Sequence, residues 1–408
     1  MYPTISVAID NSACSGFAES IALQVALAGK IPVTGVHAYT GRFHEARFKA
    51  LERHLPERYR NEDALSHQRD IHSVLIGRGL ELISLEYMKR LGDACRAGGI
   101  PFTEKIVDGK NADVVIAAAG EGELLVMGAE GLGRVDGISG LGSTTRRTLR
   151  HGKSDLLIAK RGGRIGSILA GVDGSAETLA MVGRAAGLAR SLGATLTIAA
   201  AFDPGLHRTV FGSLSATLSK EAGDVFQFSK QEALHNEIID RSLADLYSRH
   251  LERAAGIARE HGVEAATRLE QGKPFRILCM LAKEQGTDLI VVGHSGMHRS
   301  TYSDIGSNTE RVAELAETNV LVVRDRTGGS ATPTRSGEKA AGSPSGTMQA
   351  GPAKAALLWS DDAKIRLENI PGFARPMAIM AIERYAMEHK ITTITPEVMN
   401  AAREKVGT

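Results

Sequence analysis

Short runs of Val, Ile, Leu and Ala alternate with longer amphipathic stretches along the first 326 residues of the chain. Runs such as DLIVVG at 288–293 and NVLVV at 319–323 are apolar at consecutive positions, which is typical of parallel strands that are buried on both faces. The amphipathic stretches between such runs predict helices on either side of the sheet. The pattern therefore predicts the α/β class.

The same landmarks occur twice in this region. ISVAIDNSA, which contains Asp10, recurs as ILAGVDGSA, which contains Asp173, and the two aspartates are 163 positions apart. ELLVMGAEG, with Gly128, recurs as DLIVVGHSG, with Gly293, at a distance of 165 positions. Landmarks that recur in one order and at nearly one offset indicate an internal duplication.

The composition changes after residue 326. Residues 327–356 are rich in Gly, Ser, Ala, Pro and Thr and nearly free of large apolar residues. Such a segment cannot bury enough surface to offset its ordering entropy, so it is predicted to be a flexible linker. The boundaries predicted are 1–162 and 163–326 for the two repeats and 357–408 for a small terminal module.

The terminal module has helix signals at both ends. Ser360 is followed by two aspartates, which are favourable at a helix start, and Pro396 follows Thr395 as the first residue of a last helix. Between them, RPMAIMAIERYAMEH carries apolar residues around much of a helix. We expect a bundle of about three short helices, marginally stable at this size.

Two charged, helix-prone stretches, 41–96 and 205–261, lie between predicted strands of the repeats. The spacing of Leu243, Leu246, Tyr247 and Leu251 suits one face of a helix. We interpret both stretches as helices that cover the sheet, with a dedicated partner surface as the alternative.

The overall charge is nearly balanced, with 49 Lys+Arg against 47 Asp+Glu, and aromatic residues make up only 4% of the chain. Neither value favours a dedicated nucleic-acid binder. Cys14, Cys95 and Cys279 are far apart and match no metal or redox spacing. With no apolar run near the ~18 residues of a membrane span and no signal-like start, we expect a cytoplasmic chain without membrane association.

The most informative segment is GHSGMHRSTYSDIGSNTERV, which begins at Gly293. Gly293, two residues, Gly296, nine residues and then Gly306-Ser307 form a loop that leaves a predicted strand and enters a predicted helix. Glycines let backbone N–H groups approach a phosphate closely, and a helix start adds free N–H groups and a positive dipole end. The pattern predicts a phosphate site that is neither a Walker loop nor a G-x-G-x-x-G dinucleotide motif.

This spacing, with an Asp closing the first strand, resembles the ATP-binding branch of the universal stress protein family over residues 1–326. The resemblance implies two domains, each a five-stranded parallel sheet between helices, that pair through their last strands. It also implies that ATP, accompanied by Mg²⁺, is bound. The implied nucleotide-binding residues of the second domain are Asp173, Ala201, Gly293, His294, Gly296, Gly306, Ser307 and Asn308. Asp173 and Gly293 would touch the adenosine, Ala201 would offer its backbone to the base, and the later residues would hold phosphates.

The first repeat departs from the family pattern. Its corresponding residues are Asp10, Gly128, Gly131, Gly142, Ser143 and Thr144. Ten residues separate Gly131 from Gly142, one more than the family uses, and Glu130 and Asp136 add negative charge where phosphates would lie. Arg146 and Arg147 could partly restore anion binding. ATP is therefore expected mainly in the second domain, and binding in the first domain stays open.

The terminal module resembles the small helical C-terminal domain of the B subunit of light-independent protochlorophyllide reductase. The likeness rests on Trp359, Ala363, Leu367, Ile370-Pro371, Arg375, Ile382-Glu383, Ala386 and the run Ile394-Thr395-Pro396-Glu397-Val398. The cysteine-rich body of that reductase has no counterpart, so pigment reduction does not transfer. We interpret the module as a docking or self-association bundle.

No nucleophile motif or H-E-x-x-H pattern is present, and His294 and His298 fall in the glycine loop, where solvated histidines without a metal are expected. The leading hypothesis is an ATP-binding stress-response regulator without strong catalysis, which could also form a homodimer. A slow ATPase or autophosphorylating enzyme, and an adaptor that recruits a protein partner through the terminal module, are the alternatives.

Overall fold

The computed structural model describes eight parts of the chain: residues 2–133, 140–203, 205, 228–297, 305–324, 358–368, 375–389 and 391–406. The predicted linker at 327–356 lies outside them. The chain divides into two units, Met1–Asp203 with Leu243–Ser330, and Pro204–Ser242 with Ala331–Thr408.

The first repeat folds as alternating strands and helices. Its elements are β1 (Ile5–Ala8), α1 (Ala13–Gly29), β2 (Val33–Tyr39), α2 (Gly41–Leu51), α3 (Glu62–Ala97), β3 (Phe102–Asp108), α4 (Asn111–Ile116), β4 (Leu124–Gly128), α5 (Ser143–His151) and β5 (Asp155–Ala159). Two short 3₁₀ turns, Glu52–His54 and Glu57–Tyr59, connect α2 to α3. Four crossovers between parallel strands make this the α/β topology that the hydrophobic pattern predicts.

The second repeat has the same plan. Its elements are β6 (Ser167–Val172), α6 (Ala176–Leu192), β7 (Thr195–Phe202), α7 (Phe228–Glu260), β8 (Ala265–Gln271), α8 (Pro274–Glu284), β9 (Leu289–Gly293), α9 (Ser307–Leu315) and β10 (Asn319–Val323). Both repeats begin their first helix with a serine cap: the side chain of Ser12 accepts the N–H of Ser15, and that of Ser175 accepts the N–H of Thr178.

The ten strands described in the two repeats form one sheet in the order β3-β2-β1-β4-β5-β10-β9-β6-β7-β8. Strands are parallel within each repeat, whereas β5 and β10 pair antiparallel, with Leu157 opposite Leu321. The predicted five-stranded domains and their pairing through the last strands are thus confirmed within one chain. Alternate residues of β5 and β10 enter different cores, Leu157 and Leu321 on one face and Leu156 and Val322 on the other.

Polar contacts repeat across this junction with approximate two-fold symmetry. The side chain of Asn319 accepts the backbone N–H of Lys160 at 2.9 Å, and the carboxylate of Asp155 accepts the backbone N–H of Arg324 at 2.9 Å. Asp155 and Asn319 occupy the first positions of β5 and β10. The first residue of each of these two strands therefore binds the backbone N–H that follows the end of the other strand.

The two basic side chains at the junction bind helix ends of the opposite repeat. Lys160 Nζ donates to the carbonyl of Ala316, just after α9, at 2.5 Å, and Arg324 Nη2 donates to the carbonyl of Leu149 in α5 at 2.7 Å. Cations are favourable at helix C-termini because the dipole is negative there. Burial lowers the pKa of Lys160 to about 8, although Cys279, Glu314 and Glu130 oppose this effect.

The terminal module comprises β11 (Leu358–Trp359), α10 (Asp361–Glu368), α11 (Arg375–Glu388), β12 (Thr393–Ile394) and α12 (Pro396–Val406). The two predicted helix starts are confirmed. The N–H of Ala363 donates to the side chain of Ser360, and α12 begins at Pro396. A short parallel pair, β11 with β12, was not predicted. The module has its own core, formed by Ala363, Ile382, Ala386, Ile394, Met399 and Ala402.

Within the described parts of the chain, no helix combines the length and apolar character that crossing a membrane requires.

Candidate functional site

The predicted site residues of each repeat meet at the carboxyl ends of two central strands. In the first repeat, Asp10 follows β1, and Gly128 ends β4, the neighbour of β1 in the sheet. In the second repeat, Asp173 follows β6 and Gly293 ends β9, again a neighbour. The chain order reverses between these strands, and ligands of open α/β sheets bind in the crevice at such points.

Asp173 organises the loops of the second site. Its Oδ1 accepts the N–H of Ser175 at 2.9 Å and the hydroxyl of Thr178 at 2.8 Å, and its Oδ2 accepts the N–H of Met297 at 2.8 Å. Burial raises the pKa of this carboxyl, but the hydrogen bonds outweigh burial, and the net pKa lies below its usual value. Asp173 therefore joins the β6–α6 turn to the glycine loop as an ionised carboxylate.

The middle glycine of each loop touches that aspartate. A Cβ atom at Gly131 would lie 2.6 Å from Oδ2 of Asp10, and one at Gly296 would lie 2.3 Å from Oδ2 of Asp173. Contacts below 3.0 Å require a displacement, so a side chain at either position would have to move the carboxylate. From the sequence, these glycines were attributed to the close approach of a phosphate. In the structure, the close approach of the aspartate carboxylate is enough to account for them.

The helices that follow the loops start without a side-chain cap. Gly142 and Gly306 are the cap residues of α5 and α9, and neither cap position makes a side-chain hydrogen bond to its helix. The N–H groups of these two glycines themselves donate to the carbonyls of Ala129 and His294. They are engaged within the main chain, so anion binding here would fall to the N–H groups of the following residues.

Those following residues lie at the surface of the helix starts. Ser143 is exposed and Thr144 half-buried in the first repeat, and Ser307 and Asn308 are exposed in the second. The next residue of each helix makes an equivalent hydrogen bond in the two repeats. The hydroxyl of Thr145 donates to the carbonyl of Gly128 at 2.9 Å, and the hydroxyl of Thr309 donates to the carbonyl of Gly293 at 2.6 Å. This bond fixes each helix start against the end of its central strand.

A cavity of about 710 Å³ opens at the first site. The glycine loop and the start of α5 form its polar end; Asp10, Gly128, Gly131, Gly142, Ser143, Thr144 and Arg146 lie there, together with Glu130. Helix N–H groups and a guanidinium at this end suit an anion, whereas the carboxylate of Glu130 opposes one. The residues predicted for the first site are thus brought together around one space.

The opposite end of this cavity is apolar and aromatic. Leu80, Ile83 and Tyr87 of α3 line it together with His37 of β2. The rings of His37 and Tyr87 pack edge to face with centroids 5.4 Å apart, and the ring nitrogen Nδ1 of His37 lies 2.5 Å from the carbonyl of Ile9. This wall was not predicted from the sequence. The spacing of 80, 83 and 87 on one helix face was its only signal.

Arg146 connects the first site to the second repeat. It lines the cavity, and its Nε lies 3.4 Å from Oε1 of Glu314 on α9. One turn later, Arg150 donates to Glu310 at 2.5 Å. The two helices that begin at the candidate phosphate loops are therefore joined by two ion pairs.

At the second site, α7 contributes a different wall. The rings of Tyr247 and Phe202 lie 6.1 Å apart, and that of His250 lies 5.4 Å from Tyr247. Burial, assisted by Arg253 and opposed by Asp173, lowers the pKa of His250 and so favours the neutral ring. Ala201, predicted to offer its backbone to a base, is buried near the end of β7.

The expectation that His294 is a solvated loop residue is wrong, because its side chain is only 9% exposed. It directly follows β9, where its N–H donates to the carbonyl of Val323 in the neighbouring strand. His298 lies outside the described residues. Among the residues that are described, no group of three His, Cys, Asp or Glu side chains is arranged to hold a metal ion.

The fold and the two crevices define a pair of fused α/β domains with glycine-rich loops at the switch points. The universal stress protein family model matches residues 1–160 and again residues 165–324. The chain therefore belongs to the universal stress protein family. A second family model, that of the protochlorophyllide reductase 57 kD subunit, matches residues 359–403, which confirms the resemblance of the terminal module.

Individual relatives cover parts of the chain. It is 39% identical over 74 residues to universal stress protein YxiE of Bacillus subtilis, a match that spans 18% of this chain and 50% of the relative. It is 46% identical over 50 residues to the B subunit of light-independent protochlorophyllide reductase from a Roseiflexus species, which is 12% of this chain and 9% of the relative. A universal stress protein structure from Archaeoglobus fulgidus, 16% identical with a TM-score of 0.47, covers 79% of this chain and 99% of that one.

Proposed function

We propose that this chain is an ATP-binding universal stress protein that regulates its partners through nucleotide occupancy and has no strong catalytic activity of its own. The observation that carries the proposal is the first-site cavity, which has helix N–H groups and Arg146 at the start of α5 and an apolar, aromatic wall at α3. A nucleoside phosphate has the same two-ended chemistry, with a flat base at one end and anions at the other. Mg²⁺ would enter with the phosphates, which supply most of its ligands.

Both repeats contribute to the proposal for different reasons. The glycine spacing of the second repeat matches the family pattern without a gap. The first repeat has the described cavity and Arg146, although its loop is one residue longer. We therefore propose two nucleotide sites per chain, one at each helix start.

A matched pair of substitutions tests each site. Ser143→Glu and Ser307→Glu place the same carboxylate at the first residue of α5 or of α9, where both serines are exposed. A glutamate there favours the helix dipole, so folding is preserved, but it repels a phosphate. We expect calorimetric titration with Mg²⁺-ATP to show two sites in the parent chain and one in each variant.

The outcomes separate the alternatives. If ATP does not bind, or if neither glutamate weakens it, the proposed sites are wrong. Incubation with γ-labelled ATP then distinguishes a binder from an enzyme, because a slow ATPase releases labelled phosphate and an autophosphorylating chain retains the label. We expect neither on the timescale of binding.

Recruitment of a protein through the terminal module is a second function. Its support is the separate core of the module and the match of residues 359–403 to a segment that forms only 9% of the reductase chain. A chain ending at residue 356 should lose partners that the full chain co-purifies. Identical partner sets would contradict this function.

A further inference from the structure

The outer face of α3 is apolar and exposed. Its apolar side chains are between 38% and 66% exposed: Ile71, Val74, Leu75, Leu82 and Leu85. Helix positions three, four, seven and eleven apart share one face, so these five residues form a single stripe. The opposite side of α3 carries the residues that line the first-site cavity.

Apart from Leu75, the apolar residues of the stripe are symmetric about Arg78. Leu75 and Glu81 lie three positions from Arg78, Val74 and Leu82 lie four positions from it, and Ile71 and Leu85 lie seven positions from it. A two-fold axis through Arg78, perpendicular to α3, would place Ile71 opposite Leu85 and Val74 opposite Leu82 of an identical antiparallel helix. An interface between two identical chains must be self-complementary in this way, whereas a different partner has no need of it.

The charges obey the same symmetry. Arg78 Nη1 lies 2.9 Å from Oε2 of Glu81, and the two side chains are 67% and 45% exposed. In the antiparallel arrangement each Arg78 lies about one helical turn from Glu81 of the other helix. The two Arg78 side chains would meet on the axis, and each would lie between two Glu81 carboxylates, one from its own helix and one from the other helix, which offset the like charges.

Gly79 lies at the edge of the stripe, four positions after Leu75 and three before Leu82. A glycine inside a helix costs about 1 kcal/mol relative to alanine. A Cβ atom at position 79 would meet nothing within 4 Å, so packing within the chain does not require a glycine there.

We propose that two copies of this chain associate through antiparallel packing of their α3 helices, with the two-fold axis at Arg78 and the stripe from Ile71 to Leu85 as the apolar contact. Because β5 and β10 already pair within the chain, this contact uses a surface that the paired sheet leaves open. It does not depend on nucleotide binding, so it stands or falls separately from the proposed ATP sites.

Charge reversal gives the sharpest test. Arg78→Glu creates a stripe with two acidic groups, and Glu81→Arg creates one with two basic groups. Sedimentation equilibrium of the reduced full-length chain should give a dimer for the parent at micromolar concentration and a monomer for each variant. An equimolar mixture of the two variants should regain the dimer, since each stripe then meets the opposite charge. The double variant, Arg78→Glu with Glu81→Arg, should also be dimeric.

An apolar variant and a fold control complete the experiment. Val74→Asp should raise the dimer dissociation constant at least about tenfold because it places a carboxylate in the apolar contact. Far-UV circular dichroism should be unchanged, since the residue is 66% exposed. A monomeric parent chain overturns the proposal, and so does a dimer that survives both Val74→Asp and the single charge reversals. A mixture that stays monomeric while the parent is dimeric overturns the assigned axis.

Discussion

Arg146 of the first repeat and Glu314 of the second form an ion pair, with 3.4 Å between Nε and Oε1, at the edge of the first-site cavity. The same guanidinium cannot hold Glu314 and a phosphate in its best geometry at once. Because both side chains are partly exposed, at 45% and 36%, the pair itself contributes little stability. At the proposed site, Glu314 would therefore compete with a phosphate for Arg146.

Removal of that competitor should strengthen nucleotide binding at the first site. We expect Glu314→Gln to lower the dissociation constant for Mg²⁺-ATP there by about threefold, the scale of an exposed ion pair. Arg146→Gln should raise it by about tenfold, since a charge-assisted hydrogen bond is lost. Calorimetry on the Ser307→Glu background isolates the first site.

The neighbouring pair provides the matched control. Glu310 binds Arg150, which does not line the cavity, so Glu310→Gln removes an equivalent ion pair without freeing a cavity residue. Unchanged affinity in Glu310→Gln, together with tighter binding in Glu314→Gln, is the expected result. Equal effects of the two variants would refute the competition.

A second prediction concerns the middle glycines of the loops. Gly296→Ala would place a Cβ 2.3 Å from Oδ2 of Asp173, whose oxygens already accept three hydrogen bonds. The carboxylate would have to move and leave its donors unsatisfied, so we expect a loss of about 2 kcal/mol of unfolding free energy. Chemical denaturation followed by circular dichroism measures it.

Gly187 offers a control of opposite sign. It lies within α6, and a Cβ there would meet nothing within 4 Å. Gly187→Ala should stabilise the chain by about 0.5–1 kcal/mol through helix propensity alone. If Gly296→Ala proved neutral or stabilising as well, the close approach of Asp173 would not be what requires glycine at position 296.

Much of the fold could be predicted because it depends on local patterns. Consecutive apolar runs mark buried parallel strands, and the repeat offset places the second domain. The pairing of β5 with β10 came from the family resemblance. The β11–β12 pair was missed because two residues per strand produce no periodicity, and their pairing depends on a tertiary contact between positions 358–359 and 393–394.

The candidate site could be predicted less completely. The loop positions are fixed by strand ends, so Asp10 and Gly128 were found from sequence. Tyr87 reaches the cavity from a helix about 77 positions beyond Asp10, and the contact of Arg146 with Glu314 crosses the domain junction. Neither relationship has a local signal. The sequence also could not show why position 296 is a glycine. A bound phosphate and a nearby carboxylate would each require a residue without a Cβ atom there.

Lys160 predicts a pH dependence of stability. Burial lowers its pKa to about 8 from 10.5, so between these values the unfolded chain binds more protons than the folded chain. The contribution of Lys160 to the free energy of unfolding therefore rises as the pH increases from about 8 to 10.5. This contribution is lowest below pH 8.

The measurement is a difference between two proteins. Lys160→Met keeps most of the side-chain volume and removes the titration. The stability of the parent minus that of the variant should increase by on the order of 2 kcal/mol between about pH 7.5 and pH 10. Subtraction cancels the titration of groups that do not interact with Lys160. A flat difference over this range would show that the amine keeps its ordinary pKa in the folded protein.

The last prediction uses Trp359, the one tryptophan of the chain, which packs against the core of the terminal module. Ile394 is fully buried there, and Ile394→Ala should cost about 2–4 kcal/mol, more than a module of this size can lose and stay folded. Trp fluorescence should then report an unfolded module at 25 °C, while the main thermal transition seen by far-UV circular dichroism stays in place. Met387→Ala, on the same module but 57% exposed, should leave both signals unchanged. A joint shift of both transitions in Ile394→Ala would mean that the module does not unfold independently of the paired domains.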